Sequence, residues 1–204
     1  MANIDWGKIE APKSGGGKFL KLDNGKHKVR LIGKPYLHFK HWEPIPANCG
    51  GLESGCPICA RAVETKNKSY YPRQRYAINC IDRDDNNALK ILDAGSTIFS
   101  TFRTYGEQTK IDPSGKDGPD FIIVVDVPGS DVRHTKYQVI PLANVPFTDA
   151  EKKRLNEGLH NLEDTFKVDS NEEITNRLSG DKKPEAAVTP VTPAAVKEPE
   201  EFKW

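Results

Sequence analysis

Short stretches of alternating hydrophobic and polar residues, separated by turn-forming residues, run through the first 145 residues of the chain. Phe19, Leu20 and Leu22 precede Asp23-Asn24-Gly25, and a second alternating stretch containing Val29 and Leu31 follows, a pattern that predicts a β-hairpin. Further strands are predicted in YAINCI, ALKILD, FIIVVDV and KYQVIPL. Five or six short strands divided by Gly, Asp, Asn and Pro predict a mainly β domain over residues 18–145, folded as a small closed or partly open barrel.

Helical patterns are predicted at four places. CPICARAVETKNK fits a short helix beginning near Pro57, and a helical turn is expected at 96–105. Thr148 and Glu151 form a capping-box pattern, and the residues expected on the apolar face of that helix are Leu155, Leu159 and Leu162. NEEITNRLS predicts one more short helix, so residues 146–180 are interpreted as a C-terminal helical segment.

Both termini differ in composition from this body. Residues 1–17 are expected to be flexible. Residues 181–204, rich in Pro, Ala and Thr, are predicted to be a disordered acidic tail, because they contain too few bulky apolar side chains to offset the entropy of ordering. The chain has no apolar run near the roughly 18 residues of a membrane-spanning helix, and its N-terminus lacks a signal-peptide pattern. A cytoplasmic protein in a reducing compartment, where disulfides are rare, is therefore expected.

Three of the four cysteines lie close together and predict a metal site. Cys56-Pro-Ile-Cys59 is a turn whose two thiolates can chelate one ion, with Cys49 upstream and glycines that let the loop fold back. His41 completes a Cys3His set, which is typical of structural Zn²⁺ sites. Trp42 is interpreted as packing over this loop, so residues 38–62 form the predicted zinc loop.

Other interpretations of these residues remain open. A Cys-x-x-Cys redox pair is expected in a βαβ setting, which this turn-rich β sequence does not offer. His38 is the alternative to His41 as the fourth ligand. Cys80 occupies an apolar strand position and is predicted to be a core residue.

Clusters of aromatic and basic residues predict single-stranded nucleic-acid binding, in which cations meet the backbone and aromatic rings stack on bases. Residues 1–162 contain 24 basic and 19 acidic side chains, whereas residues 163–204 contain 6 basic and 10 acidic ones. This basic body with an acidic tail is compatible with such a ligand. The candidate contacts are Tyr70, Tyr71, Arg73, Arg75, Tyr76, Phe102, Arg103, Tyr105, Arg133, Lys136 and Tyr137.

The end of the chain is a separate candidate site. Its acidic stretch contains two large aromatics, which a merely solvated tail would not need, and predicts a short motif that docks on partner proteins. The motif residues are Glu200, Glu201, Phe202 and Trp204. No nucleophile or acid–base constellation accompanies these features, so an enzyme is not expected.

The order of these motifs resembles the zinc-containing phage single-stranded DNA-binding proteins, the helix-destabilising proteins of phage replication. The resemblance is carried by His41-Trp42, by Cys49 with Cys56-Pro-x-Cys59, by RYAINCIDR at 75–83 and by GSDVRHTKY at 129–137. It covers residues 18–145, and the acidic tail is a further shared feature. His41, Cys49, Cys56 and Cys59 match the metal positions of that family.

The resemblance implies an OB-like β-barrel with a zinc-bearing insertion. It also implies largely sequence-independent coating and protection of single-stranded DNA during replication, recombination and repair in the cytoplasm of an infected bacterial cell. The tail would bind replication or recombination proteins. Residues 1–17 lack an obviously basic arm, which argues against strongly cooperative filaments. The alternative function is a zinc-ribbon adaptor that contacts only proteins.

Overall fold

The structure, a computed structural model, describes residues 17–128 and 134–180, and its main element is one antiparallel β-sheet. Five strands pair in the order β4-β3-β1-β5-β6, and the short β2 pairs with the end of β1. The strands are β1 (Gly25–His41), β2 (Ala47–Cys49), β3 (Arg73–Asp82), β4 (Ala88–Gly95), β5 (Asp120–Asp126) and β6 (Lys136–Pro141).

The long strand β1 organises the sheet because it pairs with three others. Its first half pairs with β5, its end pairs with β2, and β3 follows it along both halves. The register with β3 shifts between Ile32 and Tyr36, where Gly33 has a φ of +76° and Pro35 has no N–H to donate. This irregularity separates the half of β1 that pairs with β5 from the half that leads to His41, a candidate metal ligand.

The predicted hairpin between Phe19–Leu22 and β1 is wrong. Both edges of β1 are already occupied, since Val29 lies opposite Asp82 on one side and Phe121 on the other. The segment instead approaches β4, where Phe19 forms an isolated parallel bridge with Ile91. The segment before Asp23-Asn24-Gly25 therefore does not pair with β1, because β1 has other partners.

The main core lies between one face of the sheet and helix α2 (Ser96–Thr109), which extends the predicted helical turn by four residues. Alternate residues of the strands point to this face, as period-2 geometry requires. Its buried members include Val29, Leu31, Ile78, Cys80, Leu92, Ile98, Phe99, Phe102, Phe121 and Ile123. Cys80 is fully buried here, as predicted.

The other face of the sheet is covered by the C-terminal helical segment, which contains α3 (Asp149–Glu157), α4 (Leu162–Thr165) and α5 (Asn171–Leu178). The Thr148–Glu151 capping box is confirmed. Helix α3 ends before Gly158, so Leu159 and Leu162 lie beyond the helix that was predicted to contain them. They nevertheless pack on the sheet, Leu159 beside Ile32 and Ile81, and Leu162 beside Ala77 and Ile91.

The prediction of a mainly β domain is confirmed. Within residues 17–128 and 134–180, no ladder joins β4 to β6, and barrel closure stays a prediction. None of the helices in these residues has the length and apolar character needed to cross a membrane. The segment between the ends of β1 and α1 (Pro57–Thr65) holds the candidate metal centre.

Candidate metal centre and nucleic-acid interface

Four buried side chains, those of His41, Cys49, Cys56 and Cys59, lie together at the end of the sheet, with their ligand atoms all within 4.8 Å of one another. His41 ends β1 and Cys49 ends β2, and these two strands form a small ladder. Cys56 is the N-cap of α1 and Cys59 lies in its first turn. A strand hairpin and a helix start thus supply two ligands each, and the predicted clustering is confirmed.

The spacings within the cluster fit a tetrahedral metal. The Cys49 and Cys59 sulfurs are 4.0 Å apart, and His41 Nε2 lies 3.6 Å from Cys56 Sγ and 3.4 Å from Cys59 Sγ. A tetrahedral ion with Zn–S near 2.3 Å and Zn–N near 2.0–2.1 Å requires edges of roughly 3.8 Å between sulfurs and roughly 3.5 Å between sulfur and nitrogen. The site can therefore hold a metal ion of this size with little rearrangement.

The surroundings of His41 prepare its Nε2 atom as a ligand. Nδ1 lies 2.8 Å from the carbonyl oxygen of Tyr70, which can only accept, so Nδ1 carries the proton and Nε2 presents its lone pair. Burial lowers the pKa of His41 more than this hydrogen bond raises it. The imidazole is therefore held neutral, the form that binds a metal.

The cysteine thiols are held in surroundings that disfavour an uncompensated negative charge. Burial raises the pKa of Cys49, although the Gly51 N–H donates to its sulfur at 3.4 Å. Burial and the neighbouring thiols also raise the pKa of Cys59. A divalent cation would supply the missing positive charge and displace the thiol protons. Gly51 has a φ of +100°, which explains why a glycine follows Cys49-Gly50 where the loop turns back.

The alternative ligand His38 and the fourth cysteine, Cys80, lie elsewhere. His38 Nε2 is 3.1 Å from Asp93 Oδ1, and its ring stacks on Phe166 with the centroids 4.0 Å apart. Cys80 lies in the main core, where burial raises the pKa of its thiol to about 12. Neither belongs to the four-residue cluster.

Two of the predicted DNA contacts, from segments far apart in sequence, line a single cleft of about 300 Å³, called here the Arg75 cleft. Arg75 comes from β3 and Tyr137 from β6, and 41% of the Tyr137 side chain is exposed. Asp93 fixes the guanidinium, since Arg75 Nε and Nη2 donate to its carboxylate and carbonyl oxygens at 2.8 Å each. The remaining lining includes Leu20, Leu22 and Thr97.

The other candidates on and before β3 differ in accessibility. Arg73 is exposed and Tyr71 is half-buried. Tyr70 packs beside the metal cluster, and its ring lies 5.6 Å from the Arg61 guanidinium. Tyr76 is half-buried against the main core, 5.3 Å from the Phe99 ring.

The candidates on α2 are less suited to DNA contact. Phe102 is only 4% exposed and packs on Phe121, so a base could stack on it only if the core opened. Tyr105 also packs edge-on against Phe121. Arg103 is exposed, forms an ion pair with Glu107, and lines a different cleft from Arg75.

The remaining predicted residues divide by what the structure describes. Lys136 is exposed at the start of β6. Arg133 lies outside the described residues, as do Glu200, Glu201, Phe202 and Trp204.

Two residues beside the Arg75 cleft, Lys40 and Trp42, were not among the predicted DNA contacts. Trp42, which was expected to pack over the metal loop, is 52% exposed. Its ring lies 4.3 Å from Lys40 Nζ and 5.8 Å from Arg75 Cζ. The available signal was the position of Trp42 just after the last residue of β1, where strand alternation no longer assigns it to the core.

No model of a known protein family matches the chain, and no curated protein matches it.

Proposed function

We propose that this protein binds single-stranded DNA and that the Cys3His cluster holds a structural Zn²⁺. The observation that carries the proposal is a surface beside the metal cluster on which cationic and aromatic side chains converge from separate segments. Lys40 on β1 lies directly opposite Arg73 on β3, and Arg75, two residues along β3, shares their face and lines the cleft that also contains Tyr137. Single-strand binding proteins combine such cations with aromatic stacking surfaces.

The pairing of Lys40 with Arg73 supports an anionic ligand. Like charges directly opposite each other on an antiparallel ladder repel and lower sheet stability. A nucleic-acid backbone lying over both side chains would replace this repulsion with two attractive contacts. The surface is therefore better suited to a bound polyanion than to solvent alone.

The connection of the strands supports an OB-like interpretation of the sheet. If the short β2 is left out of the count, the five strands in chain order are β1, β3, β4, β5 and β6. The first of these pairs with the second and with the fourth, and α2 connects the third to the fourth. OB-folds bind oligonucleotides on strands two and three and on the loops after strands one and four. Here those strands are β3 and β4, and the loop after β1 contains the metal cluster and Tyr70–Tyr71.

Three thiolates and one imidazole form a closed ligand set of the type that serves structural zinc. Zinc would join the end of β1 to α1 and so fix the start of β3 through the bond between His41 and the Tyr70 carbonyl. Its task would be to hold the loop that borders the DNA surface. We accordingly propose the non-catalytic role that the resembled phage proteins have: coating single strands during replication, recombination and repair.

Fluorescence anisotropy with labelled single-stranded and duplex oligonucleotides tests the proposal. The metal-loaded protein is expected to prefer the single strand, and chelation is expected to weaken its binding. Equal affinity for duplex and single strand would overturn the proposal. Absence of affinity at low salt, with the metal retained, would favour the protein-binding adaptor instead.

A further inference from the structure

Trp42 is a large aromatic residue that is half exposed, although it directly follows His41, one of the most buried residues of the fold. His41 is completely buried in the metal cluster, while 52% of Trp42 itself is accessible. The backbone at Trp42 is thus anchored by β1 and by the cluster, and the side chain is presented outward. Tryptophan usually contributes to stability through a large buried area, which this position does not provide.

Two cations flank the indole, and they differ in how they are held. Arg75 is fixed by its two hydrogen bonds with Asp93, and its guanidinium carbon lies 5.8 Å from the Trp42 ring. The Lys40 ammonium lies 4.3 Å from the ring at the end of a flexible side chain. Arg75 also lines the cleft that contains Tyr137, so the Trp42 ring lies beside one of the residues that line that cleft.

We propose that Trp42 is a stacking platform for one base of the bound strand, with Lys40 and Arg75 meeting the adjacent phosphates. The indole offers a π-face to any base, and the two cations supply positive charge close to that ring for the phosphates of the strand. When a base stacks, the Lys40 ammonium can leave the ring for a phosphate, whereas Arg75 stays in place. This inference rests on the proposed function and names a contact that the sequence pattern did not supply.

The first test compares Trp42→Ala with the unaltered protein on a short oligo-dT and on an abasic oligomer of equal length. Loss of one stacked base is expected to weaken oligo-dT binding by about 10-fold and to leave abasic binding unchanged. Trp42→Phe, which keeps a smaller ring, is expected to fall between the two. Val63→Ala is the matched control, because Val63 is 54% exposed on α1.

The outcomes separate this inference from the proposed function. If the unaltered protein binds no single strand, both are overturned. If it binds and Trp42→Ala binds oligo-dT equally well, the platform is overturned and the function stands. An equal loss of affinity for oligo-dT and for abasic strands also overturns the platform, since Trp42 would then act through the neighbouring cations or the fold and not through a stacked base.

A second test uses the fluorescence of Trp42 alone. The chain contains three tryptophans, so a Trp6→Phe, Trp204→Phe double variant leaves Trp42 as the only one. Oligo-dT is expected to quench its emission, and the abasic oligomer is expected to bind without quenching. Quenching of the same size by both strands would overturn base stacking at this residue.

Discussion

His38 and His41 lie three residues apart on β1, yet they have different surroundings. His41 is enclosed by three thiols and donates to a carbonyl, so its free nitrogen faces the candidate metal. His38 faces Asp93 and stacks on Phe166, where it helps to join the sheet to the C-terminal segment. Strand alternation places residues three apart on opposite faces, but it does not indicate which face holds the cysteines.

Exchange of single cysteines for serine should separate the metal site from the core. Cys59→Ser is expected to lose the bound metal, because a hydroxyl is a poor replacement for a thiolate ligand. Cys80→Ser is expected to retain the metal and to lose about 1–3 kcal/mol of unfolding free energy through a buried hydroxyl. Metal content after gel filtration and denaturant unfolding measure the two effects. Loss of metal from folded Cys80→Ser would contradict the assignment.

Asp93 should make stability depend on acid pH. Burial would raise the pKa of this carboxyl, but the hydrogen bond with His38 and the charge of Arg75 outweigh burial and lower the pKa below its ordinary value of 3.8. The carboxylate therefore stabilises the fold above that value, and its contribution is lost as the pH falls through the lower, folded-state pKa.

Asp93→Asn tests this dependence. At neutral pH the variant is expected to lose about 1–3 kcal/mol of unfolding free energy, because the bonds to the charged group become neutral ones or are lost. The difference from the unaltered protein should shrink as the pH falls below 3.8. Denaturant unfolding at a series of pH values measures it, and a difference that stays constant into acid would refute the role of the ionised carboxylate.

At the scale of elements, α5 is held in position by contacts with the segment that contains the candidate metal ligands. Ile174 is fully buried against Cys49, Cys56 and Ile58. Asp169, just before the helix, exchanges two hydrogen bonds of 3.1 Å with the Asn48 backbone. Arg177 bonds both Asp169 and the Pro46 carbonyl. An eight-residue helix is too short to be stable alone, so these contacts maintain it.

Removal of the metal should therefore loosen α5. Chelation is expected to accelerate amide hydrogen exchange in residues 171–178 together with that in α1, because both pack around the cysteines. Exchange followed by mass spectrometry, with β5 as the internal reference, measures this. Faster exchange in α1 with unchanged exchange in 171–178 would show that the two are not coupled.

Ile174→Ala provides the complementary test. Truncation of this buried side chain is expected to cost about 2–5 kcal/mol of unfolding free energy and to loosen the same helix. Val168→Ala is the control, because Val168 lies near α5 but is half exposed, and its effect should stay within about 0.5 kcal/mol. A similar loss for both variants would argue against specific docking of α5.

Local patterns predicted most elements because those elements depend on local interactions. The capping box at Thr148, the helix after Pro57 and the strands from Arg73 to Pro141 all follow from capping, proline and alternation signals. The Cys3His cluster was predictable because chelation fixes the spacing of its members. The failed hairpin at Phe19–Leu22 depended on competition for the edges of β1, which no local pattern records.

The candidate DNA surface was less predictable for a related reason. Phe102 and Tyr137 belong to similar aromatic clusters in the sequence, yet one is in the core and the other borders the Arg75 cleft. The side of α2 that faces the sheet decides the position of Phe102, whereas the position of Tyr137 depends on the pairing of β6 at the edge of the sheet. Trp42 and Lys40 became candidates only when β3 placed Arg75 beside them.

At the scale of the whole molecule, the two faces of the sheet pack against different parts of the chain. One face and α2 enclose the main core, while the C-terminal segment covers much of the opposite face with Phe147, Leu155 and Phe166. The cations Lys40, Arg73 and Arg75 lie on that opposite face toward the end of β1 that carries the metal cluster. The proposed DNA surface is thus bounded by the metal-binding segment and by the C-terminal segment.

This arrangement predicts a measurable salt dependence. Each phosphate neutralised on a single strand lowers log K by about 0.7 per unit of log salt concentration. Arg73→Gln, which removes an exposed cation from the proposed surface, is expected to weaken oligo-dT binding and to reduce that slope by about 0.7. Lys152→Gln removes the same charge from α3, away from the proposed DNA surface, and should leave the slope unchanged. Anisotropy titrations over a range of salt concentrations compare the unaltered protein with the two variants. An equal change of slope in both variants would assign the effect to net charge instead of to the Lys40–Arg73–Arg75 surface.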